Sequence, residues 1–66
     1  MRIVEYENEE FTYGVDLEKI KDYKYYKKYS ESFPSPIIEI FFIGGEDRIF
    51  SKGDAIGLHE LLLKCA

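Results

Sequence analysis

The chain has 66 residues, 45% of them hydrophobic, and a formal net charge of −4. That is one domain's worth of chain, and folding at this size buries only about 60% of the unfolded surface. One cysteine rules out an internal disulfide framework, and one Cys with one His cannot supply the four ligands of a structural zinc site.

The remaining routes to stability are dense packing of six Tyr and five Phe, or self-association. Met1 to Glu7 lacks the apolar core of a signal peptide, and no run reaches transmembrane length. These features lead us to expect a soluble cytoplasmic protein without a membrane partner. Charge is unevenly spread. Residues 1–18 carry six acids against Arg2, and residues 19–29 carry five lysines against Asp22. Residues 30–66 carry six acids against three bases.

Arg2 to Tyr6 alternates weakly and reads as a strand. Glu7 to Glu10 is a polar turn, and Phe11 to Val15 a second strand, giving an N-terminal hairpin. Asp16 is placed to cap a helix opening at Leu17. Tyr23 to Tyr29 fits either period, and we read the helix as running on into these tyrosines. Ser30 to Pro36, with two prolines and three serines, is a connector.

Ile37 to Ile43 is the most apolar stretch, of strand length and with one charge. Pro36 bounds it before and Gly44-Gly45 after, so it opens a second hairpin. A loop of Gly44 to Asp47 sets Phe42 against Ile49, Phe41 against Phe50 and Glu39 against Lys52. That register puts Ile38, Ile40, Phe42 and Ile49 on one face, and Phe41, Ile43 and Phe50 on the other. Asp54 then caps a final helix. Its apolar arc, from Ala55, Leu58, Leu61, Leu62 and Cys65 round to Ile56 and Leu63, is wider than a one-sided helix needs. The helix therefore either fills a groove or meets a second subunit. The fold expected is α+β: a single domain over 1–66, with an antiparallel sheet of about four strands in two hairpins. The C-terminal helix and a second helix would lie on one face.

Five features bear on function. The acidic hairpin, Glu5, Glu7, Glu9 and Glu10, is suited to a basic protein surface that otherwise meets phosphate. Its plain alternative is a solvated turn. The Lys/Tyr stretch combines Lys19, Lys21, Lys24, Lys27 and Lys28 with Tyr23, Tyr25, Tyr26 and Tyr29. Lysines meet phosphates and tyrosines stack on bases, which is the chemistry of a single-strand binder. The same pattern also suits core tyrosines with snorkelling lysines. His59 sits in an apolar stripe without a nucleophile motif and reads as a packed residue. Cys65 reads as a small apolar contact, and Gly44 to Asp47 as a turn that lacks calcium-loop and phosphate-loop spacing.

The leading expectation is a non-enzymatic interaction module without metal or cofactor, self-associating as a homodimer and binding another protein. Its contacts would be the acidic hairpin with Phe41 and Phe50. A small acidic inhibitor of a nucleic-acid-handling machine, of the type carried by phages and mobile elements, fits this size and charge. A nucleic-acid binder using residues 19–29 is the alternative. An enzyme ranks last, because no acid, base and nucleophile cluster in the sequence.

Overall fold

A computed structural model describes residues 1–65. Strands β1 (Ile3–Glu7) and β2 (Thr12–Asp16) form a two-stranded antiparallel ribbon. A 3-10 turn over Leu17–Lys19 leads into β3 (Ile20–Tyr26). Strands β4 (Ile37–Phe42) and β5 (Asp47–Ser51) follow, then helix α1 (Lys52–Cys65). The second sheet has the order β3-β4-β5, antiparallel throughout. The fold class is α+β, as expected. The architecture differs in having five strands in two sheets and one α-helix.

The helix expected over Leu17 to Tyr29 is the first correction. Asp16 does cap, accepting from the Glu18 amide at 3.1 Å, but the turn lasts three residues before the chain extends. The reason lies in β4. Its Ile38 and Ile40 are fully buried, and buried strand backbone needs partners on both edges. β5 fills one edge and β3 the other. Tyrosine tolerates a pleated surface well, so local preference does not oppose this demand.

The second correction is the β4–β5 register. Phe41 pairs with Asp47, Glu39 with Ile49 and Ile38 with Phe50, a shift of three residues from the expected pairing. The Phe42 amide donates to the Glu46 carbonyl at 2.8 Å, and Gly44 and Gly45 turn the chain at φ 104° and 96°. An odd shift exchanges the faces of β5. Phe50 therefore joins Ile38, Ile40 and Phe42 on the core side, while Ile49 points away and stays 59% exposed. Glu39 does not meet Lys52; its neighbours across the strands are Ile49 and Lys24.

The third correction concerns α1. It begins two residues before Asp54, after Lys52 has taken a left-handed φ of 56°. Asp54 accepts side-chain hydrogen bonds from the hairpin instead, from Tyr6 Oη and Asn8 Nδ2, both at 2.8 Å. Ala55, Leu58 and Leu62 pack on Ile38 and Ile40. Both flanks of the helix are used within the chain. On one, Gly57 lies against the Tyr6 ring. On the other, His59 stacks on Tyr25, with centroids 3.9 Å apart and planes at 9°. Within the chain the arc is therefore covered on the side of Ala55, Leu58 and Leu62, while Ile56 and Leu63 at its border stay exposed.

Candidate interaction surface

The β1–β2 ribbon has two unlike faces. Val4, Tyr6, Tyr13 and Val15 pair across the strands and turn inward, with Tyr13 packed on Phe50 at 4.9 Å. Alternation then turns Glu5 and Glu7 outward. Their cross-strand neighbours are Gly14 and Thr12, neither of which carries a charge. Glu9 and Glu10 sit at the tip, exposed. Among the described residues none of these four carboxylates belongs to an ion pair. Glu18 differs: it pairs with the N-terminal ammonium at 2.8 Å.

The tip is held in shape. Asn8 Oδ1 accepts from the amides of Glu10 and Phe11, each at 2.8 Å, closing a side-chain-capped turn. Asn8 Nδ2 reaches across to Asp54. Asn8 and Tyr6 together hold the Asp54 carboxyl below its ordinary value. The same bond to Asp54 pushes the Tyr6 hydroxyl up, with burial adding to it. At the other end of the ribbon, Asp16 Oδ1 accepts from the Arg2 amide at 3.1 Å. That amide is the main cause of a lowered Asp16 carboxyl. The acidic face is therefore mounted on a ribbon tied to α1 at its tip by Asn8 and at its base by the Arg2 guanidinium, which donates to the Cys65 carbonyl.

The Lys/Tyr stretch does not form one platform. Tyr23 and Tyr25 face α1 and meet His59, at 6.1 and 3.9 Å between centroids. Lys24 and Tyr26 face the other side, where Lys24 lies across from Glu39. Tyr29 packs edge-on against Tyr26 at 5.3 Å and meets Phe33 at 6.5 Å. Lys19 lies in the 3-10 turn and Lys21 in the bulge between Ile20 and Asp22. Lys27 follows the strand, and Lys28 pairs with Glu31 at 3.1 Å. Tyr23 and Tyr25 thus share one side of β3, and Lys24 and Tyr26 the other.

Of the two aromatics expected at a contact, Phe41 is half-buried on the open side of the sheet, and Phe50 is turned into the core. An open groove of about 240 Å³ lies between Leu17, Ile20, Tyr23 and Leu62, bordered by Arg2 and Cys65. It is smaller than most ligand sites. The Arg2 guanidinium there donates to the Cys65 carbonyl at 3.2 Å. Among the described residues no three of His, Cys, Asp and Glu converge, and no helix is long and apolar enough to cross a membrane.

Asn8 and Gly57 are the residues that sequence reasoning overlooked. Asn8 carried a weak signal, being the one turn-forming side chain inside an acidic run. Set beside known protein families, curated proteins and solved structures, the chain has no significant match.

Proposed function

We propose that this protein is a non-enzymatic interaction module of the cytoplasm, whose acidic ribbon binds a basic surface on a partner protein. One observation carries the reading: four carboxylates, in no ion pair among the described residues, share the outer face and tip of a ribbon tied to α1 at its tip through Asn8 and Asp54 and at its base through Arg2 and the Cys65 carbonyl. Glu5 and Glu7 stand about 6.8 Å apart along β1, two residues of strand rise. A surface that tracks phosphates would accept such a row. Fixing the ribbon in advance reduces the entropy lost on binding. An inhibitor that occupies a nucleic-acid groove, of the kind mobile elements carry, works in this manner. Binding of nucleic acid by residues 19–29 is less well supported, because β3 sends its tyrosines to opposite faces.

Parallel affinity capture with the wild-type chain and Glu5→Lys/Glu7→Lys/Glu9→Lys/Glu10→Lys tests the proposal. The wild type should hold a partner that an oligonucleotide displaces, and the variant should bind it at least about ten-fold more weakly. A folded variant that holds the same partner equally well removes the reading.

A further inference from the structure

The three-stranded sheet leaves β3 as an edge. The Phe42 amide donates to the Glu46 carbonyl at 2.8 Å, and the Lys52 amide to the Pro36 carbonyl at 2.9 Å. Ile38, Ile40 and Phe42 therefore turn their backbone groups towards β5. Ile37, Glu39 and Phe41 turn theirs towards β3, where they face Tyr26, Lys24 and Asp22. Tyr23 and Tyr25 are left with N–H and C=O pointing out from the sheet. Among the described residues no other backbone group meets them. A free edge of this kind is a template for another strand.

The sequence along this edge is complementary to itself. Asp22, Tyr23 and Lys24 are exposed, and among the described residues neither charge belongs to an ion pair. An antiparallel copy centred on Tyr23 sets Asp22 against Lys24 twice, a favourable cross-strand pairing. Centring on Asp22 or on Lys24 sets like charge on like. Centring on Tyr25 opposes no unlike charges within β3. The other edge of the sheet is less suited. The ribbon packs on β5 through Tyr13 and Phe50, so a copy there would bring two acidic ribbons side by side.

We propose that two copies of the chain pair edge to edge through β3, antiparallel, about a two-fold axis perpendicular to the sheet between their Tyr23 residues. Each Tyr23 amide donates to the Tyr23 carbonyl of the other copy. Asp22 and Lys24 flank that pair at the closer, non-hydrogen-bonded positions, on the side away from α1. Lys24 then lies between Glu39 of its own chain and Asp22 of the other. On the helix side the two Tyr23 rings, 37% exposed in the single chain, come together. They meet beside the apolar groove that Tyr23 lines with Ile20 and Leu62. Charge thus selects both the occupant and the register, and the two-fold axis closes the pair.

The bulge between Ile20 and Asp22 ends the regular ladder, so the pairing covers Asp22 to Lys24 of each copy. Such a contact falls well below the roughly 800 Å² per partner of a tight complex, and the dimer should be weak, with a Kd on the order of 1 mM. It uses no residue of the acidic ribbon, so either proposal can fail alone.

Sedimentation equilibrium over about 0.02–2 mM, a range suited to a weak dimer, should show the mass rising from monomer towards dimer. A synthetic chain N-methylated at Tyr23 keeps the β3–β4 ladder, because that N–H points outward. It should dimerise at least about ten-fold more weakly. Asp22→Lys and Lys24→Asp should each be monomeric alone over the same range. Mixed in equal amounts they should dimerise, and so should the chain carrying both substitutions, since unlike charges then face each other again. A wild type that stays monomeric overturns the proposal. So does an N-methylated chain that dimerises as the wild type does, a result that holds even where a charge variant fails to fold. Folded charge variants that regain nothing when mixed or combined overturn it as well.

Discussion

At Gly57 the helix admits the ribbon. A Cβ there would overlap the Tyr6 ring. The ring has little freedom to retreat, since its hydroxyl is bound to Asp54 at 2.8 Å and Phe11 lies 6.4 Å away. Two effects oppose each other in Gly57→Ala. Helix preference favours alanine by about 1 kcal/mol, and overpacking costs about 1–3 kcal/mol. We expect overpacking to win, with a net loss of about 1 kcal/mol in urea unfolding. In a Tyr6→Ala background the overlap is gone, and the same substitution should stabilise by about 1 kcal/mol. Destabilisation in both backgrounds would mean that Gly57 serves the helix for some reason other than Tyr6.

At the scale of elements, local composition marks which stretches are extended, while register depends on contacts far along the chain. The ribbon was legible because Tyr6 lies between two outward glutamates and the turn residues separate two short alternating runs. β4 was legible from its Ile/Phe content and its Pro and Gly boundaries. β3 was not, because tyrosines and lysines at these spacings suit either period, and the deciding demand comes from the far edge of β4. The β4–β5 register was hidden because Ile49 and Phe50 are both apolar, so composition does not say which one turns inward. The Asn8–Asp54 bond joins residues 46 apart, beyond any local signal. The loop itself is testable. A Cβ at Gly45 meets nothing within 4 Å, yet φ is 96°. Gly45→Ala should therefore lose about 1–2 kcal/mol through backbone strain alone. A synthetic chain with D-alanine there should lose nothing, and equal losses for both enantiomers would contradict the strain explanation.

For the molecule as a whole, the question is what keeps the acidic ribbon docked on the helix and sheet. Tyr6 and Asn8 tie it to Asp54, while Asp16 joins its base to the 3-10 turn. Both carboxyls lie below their ordinary value of 3.8 when folded. A depressed carboxyl contributes stability that is complete above its unfolded value and disappears as pH falls through its folded value. Tyr6 has the opposite sign. Its folded value lies above 10.0, so its contribution is complete below that value and is lost as pH rises through the folded one. Stability should therefore fall at both extremes through the same Tyr6–Asp54 contact. Urea unfolding across pH can isolate it by comparing variants, since the repulsion among the glutamates is shared and cancels. The wild type should exceed Asp54→Asn by a constant amount from neutral pH down to about 4, and the gap should close below that. Tyr6→Phe should reduce the alkaline fall, leaving the part due to Tyr13, whose hydroxyl burial also pushes up. Amide exchange in Glu5–Glu7 should report the acid loss before exchange in Ile38–Ile40, because the ribbon is a separate sheet held by side chains. Simultaneous loss in both regions would mean that ribbon and sheet unfold as one unit, and that the acidic face cannot be released without unfolding the core.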